Sequence, residues 1–416
     1  MALAWHVEGA CTGKSHQYAM SFCTGYLACT EEKAMQTTLR AIAWFRPILV
    51  SVCRYTRLWG SGSISDSASE RSDVIPEKSP AETVNGCVGT ALHRPECVLA
   101  HESGLILVPS WSGKGGISLI TPDNQTHHIL TSSPLTLRPN GIALEPGGSV
   151  LLAHLGDETG GIYRLFPDGR AEPYIMTVNG EPMPPANFVV RDSLGRLWIT
   201  VSTRKIPRAL DYRADASTGF IAVALPGERE ATIVADRLGY ANECVIDEAN
   251  SRVYVNETFG RRLSRFDMRG EQLPLLTNKH CIHDFTHGSY PDGLALDEAG
   301  CLWVTSIISN RILRIEPDGK QRICFEDSSD SHLQWTEAAY TQNELGREHL
   351  DRAHSRSMKN ISNVAFGGPD RKRLYIGNLL GDTVPFLDVD TAGAVMPHWD
   401  TPLGPLANYI DGAEKP

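Results

Sequence analysis

Oxygen-bearing side chains recur at one position of a repeated sequence phrase. In each phrase an Asn, Asp or Glu is followed, within about ten residues, by an apolar strand that opens after a Gly, Asn or Arg turn. The six residues, called the polar column below, are Glu96, Asn140, Asn187, Asn242, Asp292 and Asn363. Carboxylate and amide oxygens without sulfur or imidazole are the ligands of hard cations. The column therefore predicts a divalent-cation site, with Ca²⁺ the best fit and Mg²⁺, Mn²⁺ or Zn²⁺ as alternatives.

The spacing of these phrases indicates the elements that must position the column. Successive phrases lie about 45 to 55 residues apart, with a longer last interval, which is a period typical of propeller blades. One unit reads as strands over 141–144, 150–154, 162–166 and 171–175, separated by turn residues. Four strands per unit and six units predict an all-β, six-bladed β-propeller. Because the first strand of each blade lines the central channel, the six column residues should converge there.

Two other interpretations of the column stay open. Asn and Asp are common in turns, where they form hydrogen bonds to nearby backbone groups, so the column could merely cap strand entries. Alternatively, the chain could be a non-catalytic propeller that binds a cation for stability and holds a protein partner on its face. Buried carboxylates without a compensating charge cost several kcal/mol, which favours a bound cation over simple capping.

Composition limits the partners and the location. The formal charge of −10 and the pI near 5.8 argue against nucleic acid or an anionic membrane as the main partner. The apolar stretch 41–59 is interrupted by Arg46, Arg54 and Arg57, and no signal-peptide pattern precedes it. Cytoplasmic residence is the resulting expectation, and the oligomeric state stays undetermined. The ten cysteines show no CxxC pair, and Cys244 and Cys301 are expected to be reduced core thiols.

The domain organisation is predicted to be unequal. Residues 86–416 carry the repeats, whereas 1–85 lack them and form an N-terminal extension, partly disordered or the result of a start site placed too far upstream. Within that extension, 30–44 could form a helix. The polar stretch 327–359 interrupts the blade cadence before the last repeat, and it is expected to be either a lid over the channel or a surface excursion.

The motifs within these repeats resemble the senescence marker protein-30, gluconolactonase and luciferin-regenerating-enzyme family from about 94 to 390. The motifs that carry the resemblance are Arg94-Pro95-Glu96, Tyr290-Pro291-Asp292-Gly293-Leu294 with Leu302-Trp303-Val304, and the segments 187–192 and 242–247. The resemblance implies a six-bladed propeller with an axial divalent cation held by Glu96, Asn187, Asn242 and Asp292. It also implies hydrolysis of a lactone or a related ester.

Roles for individual residues follow from this resemblance and from the chemistry of the side chains. Asp292 is the candidate general base, with Glu96 as the competing choice. The candidate substrate contacts are Asn187, Asn140, Asn363, His154 and His287. A lone His is more often a satisfied surface or packing residue, so both histidines carry that alternative. Pro185 replaces an Arg of the family's sugar-lactone members, and 203–207 lacks their acidic residue, which argues against a plain aldonolactone substrate.

Overall fold

The computed structural model describes residues 84–411, apart from positions 158, 271, 274 and 354. Positions 1–83, which include the predicted helix over 30–44, lie outside the described residues, and the domain boundary near residue 85 stays a prediction. Within the described part, the strands form six separate sheets, each built mainly from four antiparallel strands that follow one another in the chain. The predicted six-bladed β-propeller is confirmed.

Each blade begins with an inner strand and ends with an outer one. The strands of blades 1 to 3 are Leu99–Ala100, Ile106–Ser110, Gly116–Ile120 and Thr126–Leu130; Pro139–Leu144, Val150–His154, Ile162–Leu165 and Ala171–Ile175; and Phe188–Arg191, Leu197–Val201, Gly219–Ala224 and Glu230–Leu238, with Thr177–Val178 and Glu181–Pro182 added at the edge of blade 3. The strands of blades 4 to 6 are Ala241–Asp247, Arg252–Glu257, Arg262–Met268 and Leu276–Asp284; Tyr290–Leu296, Leu302–Ile307, Arg311–Ile315 and Gln321–Glu326; and Ile361–Gly367, Arg373–Asn378 and Val384–Asp388.

A strand from the start of the repeat region completes blade 6. Gly86–Val88 pairs antiparallel with Val384–Asp388, so that Gly86 lies opposite Phe386 and Val88 opposite Val384. The last blade is thus assembled from both ends of the repeat region. This closure ties the ring of blades together and covers an edge that would otherwise be left unpaired.

The recurrent Leu-Trp pairs in the sequence have a structural reason in blades 3 and 5. Asp192 follows the inner strand of blade 3, and its carboxylate accepts hydrogen bonds from Trp198 Nε1 at 2.8 Å and from Arg196 Nε at 2.5 Å. Asp297 accepts the equivalent bond from Trp303 Nε1 at 3.0 Å. Both carboxylates are buried, and hydrogen bonds to charged groups contribute about 1.5–3 kcal/mol each. These contacts fix the turn between the first two strands of the blade.

The insertion before blade 6 contains two short helices, Asp330–Thr341 and Arg347–Asp351, called α1 and α2. Their apolar residues Leu333, Ala339 and Leu350 pack with Phe259 and Tyr290 in one buried cluster. Tyr290 opens the inner strand of blade 5, two residues before Asp292. The insertion therefore packs on the face where inner strands begin. Its role as a lid over the channel stays a prediction, and the name lid is used below only as a label for the insertion.

The remaining helices are short: the 3-10 helices Arg208–Asp211 and Gly404–Ala407, and the α-helix Asn408–Asp411, called α3. In the part of the chain that the structure covers, no helix has the length and apolar character needed to cross a membrane. Cys244 and Cys301 are unpaired and buried, as expected.

Candidate functional site

The six column residues occupy equivalent places, at or just before the start of each inner strand, and all six are buried. Four of these strands have an irregular register at the column, between Pro139 and Ile142, Ala241 and Cys244, Pro291 and Leu294, and Ile361 and Asn363. Such bulges re-aim side chains that regular pleating would alternate between the two faces of a sheet. Column side chains of neighbouring blades thereby come within hydrogen-bonding distance of one another.

Four members of the column are linked by a continuous series of hydrogen bonds. Asn140 Nδ2 donates to Asn187 Oδ1 at 3.1 Å, and Asn187 Nδ2 donates to Asn242 Oδ1 at 2.5 Å. Asn242 Nδ2 donates in turn to Asp292 Oδ1 and to Thr258 Oγ1. The structure therefore brings together three of the four predicted cation ligands, Asn187, Asn242 and Asp292, side by side.

Glu96, the fourth predicted ligand, is held by an arginine that the sequence analysis did not select. Arg94 Nη2 donates to Glu96 Oε2 at 2.9 Å and lies 3.4 Å from Asn140 Oδ1. The guanidinium is stacked on Trp111, with its carbon 4.4 Å from the ring centroid. The signal was present in Arg94-Pro95-Glu96, but only the glutamate was interpreted as functional.

The electrostatics of Asp292 are those of a carboxylate that needs a positive partner. Burial raises the pKa of Asp292 well above its usual range, and Glu96 and Glu243 raise it further, whereas Arg94 and Arg208 oppose the increase. Two carboxylates close together in a desolvated site repel each other, and a cation between them relieves that cost.

The donor set fits a hard divalent cation. Glu96 and Asp292 offer carboxylate oxygens, and Asn187 and Asn242 offer neutral amide oxygens, which add coordination without further repulsion. No group of three or more His, Cys, Asp or Glu that could hold a metal is found between residues 84 and 411 where positions are described. A cation at this place would consequently depend on the two asparagines, and the absence of imidazole and thiolate favours Ca²⁺ over Zn²⁺.

Asn363 lies within the channel and is paired with a buried glutamate. Its Oδ1 accepts from Val98 N at 2.9 Å, and its Nδ2 donates to both carboxylate oxygens of Glu243, at 2.9 and 2.8 Å. Burial raises the pKa of Glu243 to about 8, although the bonds from Leu294 N and Asn363 act in the opposite direction. Both polar ends of Asn363 are thus used by the protein. Glu243 was missed because it directly follows Asn242, and alternation along a strand would turn it away from the channel.

A cavity of about 70 Å³ lies in the channel beside Glu243 and Asn363. Its apolar wall includes Leu99, Leu144 and Phe188, and the segment containing Met396 lines it as well. The volume is large enough for several water molecules.

Arg208 reaches the column from the loop after the second strand of blade 3. Its Nη2 lies 3.3 Å from Asn187 Oδ1 and 3.0 Å from Ser202 Oγ, and its guanidinium carbon is 5.4 Å from the centroid of the Tyr240 ring. The sequence analysis considered 203–207 only for an acidic residue, and Arg208 lies one position beyond that segment.

The two candidate histidines lie in different surroundings. His154 is buried, accepts a hydrogen bond from Arg138 N at its Nδ1 (3.0 Å) and packs edge-on against Tyr163. His287 has 72% of its side chain exposed and lies 3.8 Å from Glu337 of the lid. In the described part of the chain, neither shares a hydrogen bond with a column side chain. Their substrate-binding roles stay predictions.

Comparison with known proteins agrees with this architecture. Residues 68–324 match the family described as the SMP-30/Gluconolactonase/LRE-like region. A 6-deoxy-6-sulfogluconolactonase from Pseudomonas putida is 27% identical over 188 residues, which are 43% of this chain and 54% of the relative. The match therefore spans about half of that relative's length.

Solved structures show the same fold at low identity. A calcium-binding regucalcin from Agrobacterium tumefaciens strain C58 is 16% identical, with a TM-score of 0.53 over 76% of this chain and 97% of the other. A gluconolactonase from Xanthomonas campestris is 16% identical, with a TM-score of 0.52 over 72% and 88%. A luciferin-regenerating enzyme gives the same identity and TM-score over 75% and 96%. With its six-bladed propeller and a family match over more than half of its length, the chain belongs to the SMP-30/Gluconolactonase/LRE-like family.

Proposed function

We propose that this protein is a divalent-cation-dependent hydrolase of lactones or related esters. The observation that supports the proposal is the hydrogen-bonded series Asn187, Asn242 and Asp292, with the buried Glu96 close enough to raise the pKa of the buried Asp292. The family and the lactonase names of the relatives support the reaction class. The calcium-binding regucalcin of the same fold supports Ca²⁺ as the ion, with Mg²⁺, Mn²⁺ and Zn²⁺ as alternatives.

The positions of the side chains suggest a different role for each residue in the proposed reaction. When bound, a divalent cation would polarise the lactone carbonyl and lower the pKa of an attacking water. Asp292 is proposed as the general base, because its carboxylate lies at the proposed cation site and can accept a proton from a water bound there. Glu96, fixed by Arg94, is proposed as a ligand only, since Arg94 holds one of its oxygens.

Substrate contacts are proposed for the part of the column near the two arginines. Asn187 lies between the proposed ligand Asn242 and Arg208, which suits it to orient a substrate carbonyl. Asn140 lies between Arg94 and Asn187 and would contact the lactone ring next to that carbonyl group. His287 would meet a substrate only from the lid side.

The decisive experiment couples stability to turnover. Protein treated with EDTA is assayed on a panel of γ- and δ-lactones with Ca²⁺, Mg²⁺, Mn²⁺ or Zn²⁺ added back, and its melting temperature is measured in the same buffers. We expect activity and thermal stability to return together, and Asp292→Ala to lose both responses. Asp318→Asn, an exposed turn residue of the same blade, is the matched control.

Two results would contradict the enzymatic proposal. Equal turnover by Asp292→Ala would show that the reaction occurs elsewhere. A cation-dependent gain in stability without turnover of any lactone would favour the alternative, a non-catalytic propeller that holds a partner.

A further inference from the structure

Arg208 is a cation whose hydrogen-bonding partners are neutral. It donates hydrogen bonds to the Asn187 amide oxygen and the Ser202 hydroxyl, and among the described residues no carboxylate forms an ion pair with it. Its Nε is buried and has no hydrogen-bond partner. A buried donor without a partner is costly, and a charged one more so, unless something else satisfies it.

The nearest acidic residue on its loop is already occupied. The Asp211 carboxylate accepts from Thr203 Oγ1 at 2.6 Å and also from Thr218 Oγ1, so it ties the two ends of the loop together. Other arginines on nearby segments have dedicated acids: Arg204 pairs with Asp236 at 2.8 Å. Among the described residues Arg208 therefore lacks such a dedicated acid, in a chain whose overall formal charge is −10.

Arg94 places a second guanidinium beside Asn140, whose side chain is hydrogen-bonded to Asn187. One of its nitrogens serves both Glu96 and Asn140, while its Nε is buried without a partner. The Trp111 ring under it is anchored by a 2.7 Å bond from Nε1 to the Pro139 carbonyl, which holds the guanidinium in place.

The two arginines flank one short stretch of the column. Arg94 contacts Asn140 and Arg208 contacts Asn187, and these two asparagines are hydrogen-bonded to each other. A guanidinium presents a fork of donors that matches carboxylate, sulfonate or phosphate oxygens. A ligand that lies on Asn140 and Asn187 would have such donors on both sides.

We propose that Arg94 and Arg208 form an anion-recognition subsite, so that the substrate is a lactone or ester with a carboxylate, sulfonate or phosphate substituent. The inference rests on the proposed function for the identity of the reacting group, but the anion subsite itself can be tested by binding alone.

The test compares substrates that differ only in charge. The wild type is assayed with a neutral hexono-1,5-lactone and with its 6-carboxylate, 6-sulfonate and 6-phosphate counterparts. We expect kcat/KM to favour at least one anionic lactone by about tenfold or more, as is typical when a buried polar site loses its partner in the uncharged analogue. Arg208→Gln should reduce kcat/KM for that anionic lactone by about 10- to 100-fold, mainly through KM, and for the neutral lactone by a clearly smaller factor.

Two further variants separate recognition from folding and positioning. Arg208→Lys should retain part of the anion preference, because the charge stays while the fork is lost. Arg204→Gln, in the same loop but paired with Asp236, should leave the preference unchanged. If Arg208→Gln lowers kcat equally for charged and neutral lactones, Arg208 merely positions Asn187 and the inference is wrong.

A binding measurement distinguishes failure of this inference from failure of the proposed function. A non-hydrolysable hexarate dianion and the neutral hexitol of the same length are titrated by calorimetry into wild type and Arg208→Gln. Binding of the dianion that requires Arg208, without turnover of any lactone, would support the anion subsite and overturn the lactonase. Lactone turnover together with equal affinity for the dianion and the hexitol would support the lactonase and overturn the anion subsite.

Discussion

Glu243 and Asn363 form a buried pair across the channel, in which the Asn363 amide donates to both oxygens of the carboxyl group. Burial raises the pKa of Glu243 to about 8, well above its value in an unfolded chain. Between these two pKa values the folded protein retains a proton that the unfolded protein releases. Folding stability therefore falls as the pH rises from about 4.5 to about 8 and is insensitive to this group at higher pH.

Replacement of Glu243 by Gln removes that proton. We expect the free energy of unfolding of Glu243→Gln to fall less steeply with pH than that of the wild type. The difference in slope is at most about 1.4 kcal/mol per pH unit within this window. Urea denaturation in EDTA from pH 5 to pH 9 measures it. Glu228→Gln, at an exposed turn, is the control and should follow the wild type. Identical slopes for wild type and Glu243→Gln would show that Glu243 is ionised throughout.

A second prediction concerns Asp292 in the absence of any cation. Burial and the neighbouring acids raise its pKa, so the metal-free folded protein disfavours the ionised carboxylate that the unfolded chain readily adopts, and this group lowers stability as the pH rises above its unfolded pKa. Asp292→Asn should therefore raise the melting temperature in EDTA, while it abolishes the further rise that Ca²⁺ gives the wild type. The measurement is thermal unfolding at pH 7.5 with EDTA or with Ca²⁺. A variant that is less stable in EDTA and still responds to Ca²⁺ would exclude Asp292 from the cation site.

Periodicity and side-chain chemistry were sufficient to predict the propeller and the polar column. Residues that follow the inner-strand repeat, such as Asn187 and Asp292, keep the same offset from their turn glycines, Gly195 and Gly300, and so could be aligned by inspection. Residues that reach the site only through the folded course of a loop could not be predicted in this way. Arg208 reaches Asn187 from the segment 202–218, which is longer than the segments between the second and third strands of the other blades.

Glu243 illustrates a different limit. Regular alternation places neighbouring strand residues on opposite faces, so a polar residue after Asn242 would be expected to point away from the channel. The register shift between Ala241 and Cys244 removes that alternation and lets both side chains enter the channel. Bulges of this kind leave no reliable signature in a single sequence.

A third prediction concerns the attachment of the lid. Glu337 Oε1 accepts from Gly288 N at 2.8 Å and from Tyr290 Oη at 2.9 Å, and it also pairs with Arg261. Burial alone would raise the pKa of Glu337, but these contacts outweigh it and lower the pKa. Glu337→Ala leaves Arg261 without its acid and should cost about 3 kcal/mol of stability. It should also increase hydrogen exchange in α1 and raise KM.

Urea denaturation, exchange measured by mass spectrometry and lactone kinetics test this prediction. Glu344→Ala, an exposed acid of the same insertion, is the control for a changed surface charge. If Glu337→Ala exchanges in α1 at the wild-type rate, the lid is held by its apolar cluster alone.

The last prediction separates the two candidate histidines. Burial, with a contribution from Arg138 and against that of Asp157, lowers the pKa of His154 to about 4, so its ring stays neutral in the folded protein. An unfolded chain takes up this proton near pH 6.5, and stability due to His154 is therefore lost as the pH falls from 6.5 towards 4.

Asn can supply an acceptor to Arg138 N as His154 Nδ1 does, but it does not titrate. His154→Asn should thus reduce the acid-induced loss of stability by up to about 1.4 kcal/mol per pH unit, whereas His287→Asn, at an exposed position, should not. Denaturation between pH 4.5 and 7.5 gives the slopes, and the NMR titration of His154 checks their origin: a midpoint near 6.5 would contradict the buried, neutral ring.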